Sequence, residues 1–187
     1  RGTGKIGTQI NKFIDYLKLP ECKDKNIVIR GELIIEEKLF NDKYIEKGYN
    51  TSRNFVAGLS NTKNIEDLNK KNIDLTDVDF VAYEVIKPEN LKPSEQFKLL
   101  NELSIESGLK VAKQIDKLEN NESINKNNLT LENMEVILKK WKSEYKYNID
   151  GIIIANDEVY KRKSKNPESA FAFKMDDEGK ETTVTKV

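Results

Sequence analysis

Apolar side chains recur at spacings of three and four residues in three stretches of the chain, and such spacing predicts amphipathic helices. The first stretch comprises Ile10, Phe13, Ile14 and Leu17. The second stretch begins after Pro93, where Ser94 is the expected N-cap and Gly108 follows the last turn. The third stretch begins after Thr130, which is its expected N-cap. The stripe of the third helix, which we expect to face the core, comprises Leu131, Met134, Leu138, Trp141 and Tyr145.

Runs of β-branched and apolar residues predict strands. The first run spans residues 26–35 and contains one polar interruption, Arg30-Gly31-Glu32, while the second spans residues 80–86 and ends before Pro88. Further strands are predicted at 109–115, at 149–154 as a buried strand, at 170–175 and at 181–187. Together these patterns indicate an α+β fold of mainly antiparallel sheets with helices packed on them.

Composition supports a folded domain with polar loops. Hydrophobic residues make up 37% and charged residues 34% of the 187-residue chain, which is polar for a globular protein but less extreme than a disordered one. Residues 119–129 are mostly Asn, Glu, Lys and Ser and predict a loop with little apolar surface to pack. A chain of this length suits one domain, or one domain that lacks a piece.

Charge and residue usage exclude several classes of function. The 32 basic residues equal the 32 acidic ones, so any nucleic-acid contact would have to come from a local patch. The chain has no histidine, which excludes Ser-His-Asp hydrolysis, Cys-His proteolysis and histidine-ligated zinc. Cys22 is the single cysteine, so there is no intrachain disulfide. With neither an apolar run near the roughly 20 residues of a membrane span nor a signal peptide, we expect an intracellular protein that is not secreted.

Several charged residues occupy positions that could serve a ligand. Period 2 places Arg30 and Glu32 on the same face of a strand, and the intervening Gly31 could let a ligand approach the backbone. Arg30 and Glu32 alone would more often make a cross-strand ion pair at a solvated edge. Asp150 before a β-branched run could belong to an ordinary turn. Lys174 alternates with the neighbouring phenylalanines, as a solvated strand lysine does.

Taken in order, however, six motifs resemble those of the adenylation domain of NAD-dependent DNA ligases. Each is short, but their order is specific and covers nearly the whole chain. The resemblance implies a nucleotidyltransferase fold, related to ATP-grasp and shared with the DNA ligase adenylation domain. The motifs are Arg1-Gly-Thr-Gly with Gly7, Arg30-Gly-Glu32, Arg53-Asn-Phe-Val-Ala-Gly58, Phe80-Val-Ala-Tyr83, Asp150-Gly-Ile-Ile-Ile and Phe173-Lys174.

The resemblance also implies a reaction and its participants. In that family a lysine attacks the α-phosphate of NAD, nicotinamide mononucleotide leaves, and the AMP is passed to the 5′-phosphate of nicked double-stranded DNA. Because negative charge accumulates on the phosphorus, the site needs fixed cations and a divalent metal, here Mg²⁺. The implied cofactors are therefore NAD and Mg²⁺, and the implied partners are nicked duplex DNA and NAD or AMP.

The same resemblance implies roles for individual residues. Lys174 and Arg1 would face the phosphate, and Glu32 would contact the ribose. Tyr83 would stack on adenine, which suits a flat amphipathic ring. Asp150 would orient neighbouring cations or help to hold Mg²⁺. The implied catalytic set is Lys174, Asp150 and Glu32, and the implied nucleotide-binding set is Arg1, Glu32, Arg53, Tyr83 and Lys174; metal ligands are not specified.

Three departures from the family pattern stand out. The nucleophile of the family lies in a Lys-x-Asp-Gly motif upstream of the arginine-glycine turn, and this motif does not occur in the chain. Ala155 stands where the family has a phosphate-facing lysine, and Lys161 or Arg162 could replace that cation. Asn61 stands where the family has a second arginine.

We therefore expect a partial adenylation domain over residues 1–178, truncated at its N-terminus, and the start of an oligonucleotide-binding domain over residues 179–187. The expected function is part of a DNA ligase that uses NAD to form an enzyme–AMP intermediate and seals nicks in replication or repair. Alone, the fragment should be inactive in self-adenylation. Two alternatives stay open, namely a degenerate non-catalytic module that binds nucleotide or DNA, and an ATP-dependent ligase of the same superfamily.

Overall fold

The computed structural model describes residues 10–16 (12, 13 and 16 by backbone only), 19, 21, 26–62, 64–118, 123–162 and 167–175. It confirms a mixed α+β domain with small sheets and packed helices. Arg1, the predicted strand at 181–187 and the boundary at 179 lie outside the described residues. The strands are β1 Val28–Ile35, β2 Val78–Lys87, β3 Lys110–Val111, β4 Ile152–Ala155 and β5 Ala170–Phe173. The α-helices are α1 Glu37–Lys43, α2 Ser52–Asn61, α3 Ile65–Lys70, α4 Pro93–Ser107 and α5 Leu131–Glu144, with 3₁₀ turns at Asn11–Tyr16 and Leu75–Asp77.

Two small sheets carry the strands. β2 is the central strand of the first sheet, where it pairs with β1 in antiparallel and with β3 in parallel. The second sheet consists of β4 and β5, paired in antiparallel. Two of the strands that contain family motifs, β1 and β2, occur where the apolar runs predict them.

The core consists of two groups of buried side chains, which lie at different points along the first sheet. In one, the aromatic rings of Phe40 and Tyr44 on α1 pack with Phe55 on α2, each only 1% exposed. In the other, Ala82 and Val85 of β2 pack against the apolar face of α4. β2 contributes to both groups, so its position is fixed along its whole length.

A β-bulge interrupts the pairing of β1 and β2 at Tyr83. Arg30 pairs with Glu84 and Gly31 with Ala82, which leaves Tyr83 without a partner in the register. A bulge re-aims side chains that strict alternation would send to opposite faces. Consequently Tyr83 is exposed and Glu84 only half-buried, whereas Ala82 before them is fully buried.

Two predicted strands are shorter than their sequences indicate. The strand predicted at 109–115 pairs with β2 only over Lys110–Val111, because the bulge in β2 begins directly after Ala82, the partner of Val111. The strand predicted at 149–154 begins at Ile152, and its prediction as a buried strand is wrong. Ile153 is 72% exposed because the two-stranded sheet is covered on one face at this position.

The predictions for the first two helices also need correction. The stretch from Ile10 forms a 3₁₀ turn over Asn11–Tyr16, with Phe13 and Leu17 outside the described side chains. α4 begins at Pro93 with Lys92 as its N-cap, because the Glu95 carboxylate accepts the backbone N–H of Lys92 at 2.8 Å. Ser94 is therefore not the cap.

The stripe of α5 is only partly core. Thr130 caps the helix as predicted, accepting a hydrogen bond from the N–H of Asn133. Leu138 is fully buried, but Leu131 is 61% exposed because it follows a polar loop with no apolar surface to cover it. Trp141 is half-buried and is covered by Lys113, whose ammonium lies 5.3 Å from a ring centroid.

Contacts from distant residues hold the segments on either side of β4. Before β4, the hydroxyl of Tyr147 donates to the buried carboxylate of Asp79 on β2 at 2.7 Å. After β4, the carboxylate of Asp157 accepts the N–H and hydroxyl of Ser94 at 2.9 and 2.8 Å, so it serves the first turn of α4. The second sheet is thereby attached to β2 and α4. None of the described helices is long and apolar enough to cross a membrane.

Candidate functional site

An unpaired acid and an exposed aromatic ring lie on the outer face of the first sheet. Glu32 on β1 is exposed and has no hydrogen-bond or ion-pair partner among the described residues. Tyr83 on β2 is 43% exposed. Partial burial raises the pKa of Tyr83 above its usual value, Arg30 opposes this, and Glu84 and Glu32 add to it. The phenol is therefore neutral at physiological pH, and Glu32 is near enough to act on it electrostatically.

Two arginines meet at Glu84 on the same face. Arg30 Nη1 lies 2.7 Å from Glu84 Oε2, and Arg162 Nη2 lies 2.6 Å from Glu84 Oε1. The cross-strand ion pair expected for Arg30 therefore forms with Glu84 and leaves Glu32 free. Arg162 reaches this point from the segment after β4 and also donates to the carbonyl of Val85 at 3.2 Å.

A second cluster joins three motifs that are far apart in sequence. Arg53 at the start of α2 donates to the Asp150 carboxylate at 2.8 Å, and Lys174 Nζ lies 3.7 Å from the same carboxylate oxygen. The side chains of Arg53, Asp150 and Lys174 are 64%, 58% and 60% exposed, and ion pairs so exposed contribute little to stability.

Each of these clusters combines two cations with one acid, so each keeps an excess positive charge. A site of this kind attracts anions. In the second cluster the Lys174 ammonium lies 3.7 Å from the Asp150 carboxylate, farther than Arg53 at 2.8 Å.

Two of the motif glycines, Gly31 and Gly151, are required by close packing within the chain itself. A Cβ at Gly31 would collide with the Val81 carbonyl and the Phe80 ring, so the space that we expected a ligand to use is filled by Phe80. Gly31 faces inward because period 2 turns it away from the outer face. A Cβ at Gly151 would meet the Phe173 carbonyl and lie 2.8 Å from Lys174 Cγ. Gly151 therefore lets the Lys174 side chain pass next to Asp150.

The structure brings most of the predicted site residues into these two groups, one with Glu32 and Tyr83 and one with Arg53, Asp150 and Lys174. Across the described part of the chain, no hydrogen bond or ion pair joins one group to the other. Arg1 lies outside the described residues.

Positions that depart from the family pattern are also located. Ala155 ends β4 opposite Ala170, so this position supplies no cation. Asn61 is the last residue of α2. Of the two candidates to replace the missing lysine, Arg162 lies on Glu84, whereas Lys161 is exposed and has no ion-pair partner among the residues described.

The donor set does not form a metal centre. No group of three or more Asp, Glu or Cys side chains that could hold a metal occurs within the described ranges. Asp150, the acid predicted to help with Mg²⁺, already faces Arg53 and Lys174. These residues do not fit a protein-built Mg²⁺ site.

Sequence reasoning missed Glu84 on the outer face and the buried acid Asp79. Glu84 was not predicted because strict alternation places Glu84 and Tyr83 on different faces of the sheet. The bulge that changes this leaves no signal in the apolar pattern. The role of Asp79 was hidden because an acid in a strand is ordinarily solvated, whereas here it is 7% exposed. A buried strand that carries an acid was the available signal for Asp79.

Comparison with known proteins gives consistent matches. The family profile of the NAD-dependent DNA ligase adenylation domain matches residues 1–178. A DNA ligase of Acanthamoeba polyphaga mimivirus is 38% identical over 192 residues, covering 100% of this chain and 27% of the relative. Protein 205R of Invertebrate iridescent virus 6 is 32% identical over 99% of this chain and 29% of its own length. A DNA ligase of Borrelia garinii subsp. bavariensis is 27% identical over 94% of this chain and 26% of its own.

The chain thus spans less than a third of the length of these relatives. No solved structure matches the chain.

Proposed function

The chain belongs to the NAD-dependent DNA ligase adenylation domain family, and on that premise we propose that it forms the nucleotide-binding part of a DNA ligase. In this proposal the intact protein uses NAD to form an enzyme–AMP intermediate and seals nicks in duplex DNA. The observation that carries the proposal is the meeting of Arg53, Asp150 and Lys174, which come from three motifs of the family.

The outer face of the first sheet would bind the nucleoside. Tyr83 offers a neutral, half-exposed ring on which adenine can stack. Glu32 has unused acceptor capacity on the same face, which suits the hydroxyls of a ribose. Because the other acids of the two clusters are paired with arginine or lysine, Glu32 is the acid best suited to this role.

The second cluster would neutralise the phosphate. Lys174 is assigned to the phosphate oxygens because its ammonium is held only loosely by Asp150. Arg53 would bind the nucleotide from α2, with its guanidinium oriented by the 2.8 Å bond to Asp150. Asp150 is therefore a positioning residue for two cations. Fixed cations at a developing negative charge stabilise a transition state without reorganisation during the reaction.

The proposal does not assign the nucleophile to these residues. The sequence contains no Lys-x-Asp-Gly motif, so this segment by itself is expected to be inactive in self-adenylation. Arg1 keeps its proposed phosphate-facing role on resemblance alone. Mg²⁺ is proposed for the family reaction, where this ion is commonly bound through substrate phosphates and few protein ligands.

A non-catalytic nucleotide-binding or DNA-binding module is the second candidate. It is favoured by Ala155, which supplies no cation at the end of β4, and by Asn61 at the end of α2. The ATP-dependent alternative would use the same two clusters and would differ only in the donor.

The test is transfer of labelled AMP from NAD to the intact protein. Lys174→Ala should abolish labelling, and Lys142→Ala, which changes an exposed lysine of α5 outside both clusters, should label normally. Supplying labelled ATP in parallel distinguishes the donor. If the unmodified protein incorporates no label from either donor, the catalytic proposal fails and the non-catalytic candidate remains. Normal labelling of Lys174→Ala would refute the assignment of Lys174.

A further inference from the structure

Glu84 accepts hydrogen bonds from two arginines at once. Arg30 occupies one carboxylate oxygen at 2.7 Å, and Arg162 occupies the other through Nε at 3.1 Å and Nη2 at 2.6 Å. Two guanidinium groups on one carboxylate give this cluster one excess positive charge, and Glu32 is a separate acid on the same face.

Arg162 has donors to spare. A guanidinium has five N–H donors in a fixed plane, and Arg162 directs only its Nε and Nη2 to Glu84 and the Val85 carbonyl. Among the described residues, nothing accepts a hydrogen bond from its Nη1. The side chain is 40% exposed, so these donors are open to a ligand.

The guanidinium is held in place from both ends of its segment. Asp157, five positions earlier, is bound to Ser94 at the start of α4, and Arg162 itself is bound to β2. The bulge at Tyr83 re-aims Glu84, so Arg162 is anchored on the residue that directly follows the exposed ring in β2. A group fixed in this way loses little entropy when it binds.

We propose that Arg162 binds the phosphate of the nucleotide whose base stacks on Tyr83, with Glu84 as its positioning residue. This inference rests on the proposed function and adds a residue that lies outside the six motifs. A guanidinium matches the geometry of phosphate oxygens and carries a permanent charge. Arg162 would supply the cation that is lacking at Ala155. The nucleotide is favoured over the DNA backbone because Tyr83 and Glu32 on the same face suit one nucleoside.

The experiment compares AMP with adenosine as ligands of the intact protein by equilibrium titration. Arg162→Gln should weaken AMP binding on the order of tenfold or more, as expected for the loss of a charge-assisted hydrogen bond. Adenosine, which has no phosphate, should bind the variant as it binds the unmodified protein. Arg162→Lys should recover part of the loss for AMP, because it restores the charge without the fork. Lys142→Gln, which removes an exposed charge on α5 outside both clusters, should leave both affinities unchanged.

Three results would overturn the inference while leaving the proposed function intact. They are unchanged AMP binding by Arg162→Gln, an equal loss for AMP and adenosine, or weakened binding of a nicked duplex with unchanged AMP binding. An equal loss would mean that Arg162 merely holds the bulge. Failure of the unmodified protein to bind either AMP or adenosine would instead refute the proposed function itself.

Discussion

The hydroxyl of Tyr147 donates a 2.7 Å hydrogen bond to the buried carboxylate of Asp79. This bond fixes the segment that follows α5 to the central strand, three residues before Asp150. Lys110 forms an ion pair with the same carboxylate, so the acid is satisfied from two sides. Next to it, the backbone N–H of Glu37 donates to the carbonyl of Lys146 at 2.9 Å. Asp150 therefore enters its cluster from a segment that is already held in place.

Tyr147→Phe should destabilise the domain. The change removes one partner of a buried carboxylate, which typically costs about 1–3 kcal/mol in the free energy of unfolding. Urea unfolding measures this cost as a lower midpoint. Tyr145→Phe is the matched control, because the Tyr145 hydroxyl has no hydrogen-bond partner within the described residues. Equal midpoints for the two variants would contradict the anchoring role of Tyr147.

Replacing two glycines by alanine should have opposite effects. At Gly31 the new methyl group would collide with the Val81 carbonyl and the Phe80 ring, and such overpacking costs about 1–3 kcal/mol. At Gly58 on α2 the methyl group would meet open space, and the change should stabilise by about 0.4–1 kcal/mol. Thermal unfolding of both variants distinguishes the two cases. A Gly31→Ala protein as stable as the unmodified one would show that the two strands are not packed as described.

Asp157 should contribute stability that depends on pH. The N–H and hydroxyl of Ser94 lower the pKa of Asp157 below its usual value of 3.8. A carboxyl whose folded pKa is lowered stabilises the fold above the unfolded pKa and loses this contribution as the pH falls through the folded value. Asp157→Ala should therefore be less stable at pH 7, by about 0.5–1 kcal/mol for the loss of a helix-capping acceptor. The difference should shrink as the pH falls below 3.8 and the Asp157 carboxyl becomes protonated; a difference that stays constant there would rule out this linkage.

Asp150→Asn tests the positioning of the two cations. The substitution keeps the shape of the side chain and removes the charge that holds Arg53 and Lys174. We expect adenylation of the intact protein to fall by about 10- to 100-fold, in the range of losses seen when a fixed charge at a reacting phosphate is disturbed. Adenosine binding should be unaffected. A parallel loss of adenosine binding would instead assign Asp150 to the nucleoside pocket.

Glu32 can be tested by matching a protein group with a ligand group. Glu32→Ala should weaken adenosine binding about tenfold. The variant should bind adenosine and 2′,3′-dideoxyadenosine with the same affinity, because removing the acid and removing the hydroxyls abolish the same interaction. Additive losses from the protein change and the ligand change would show that Glu32 does not contact the ribose.

The sequence predicted the elements more reliably than their ends. Apolar periodicity located β1, β2 and α4, because their buried faces are continuous. It failed where contacts from distant residues decide the outcome. Ser94 looks like a helix cap in the sequence, but its hydroxyl and N–H are bound by Asp157, 63 positions away. Leu131 looks like core, yet nothing apolar covers it.

In the candidate site, too, local patterns were predictive and contacts between distant residues were not. Ordered motifs identified Arg53, Asp150 and Lys174, and the structure brings these residues together. Glu84 was not predicted, because its exposure depends on the bulge at Tyr83 and a one-residue insertion in a ladder leaves no periodic signal. The position of Arg162 on Glu84 could not be derived either, because it joins residues 78 positions apart.

The most direct test of the central claim is a crystal structure of the intact protein with AMP. We expect adenine to lie against the Tyr83 ring, the ribose hydroxyls to lie within hydrogen-bond distance of Glu32, and the phosphate to contact Lys174. A nucleotide bound away from both clusters, with the Tyr83 ring still facing solvent, would contradict the assignment of this face as the nucleotide site.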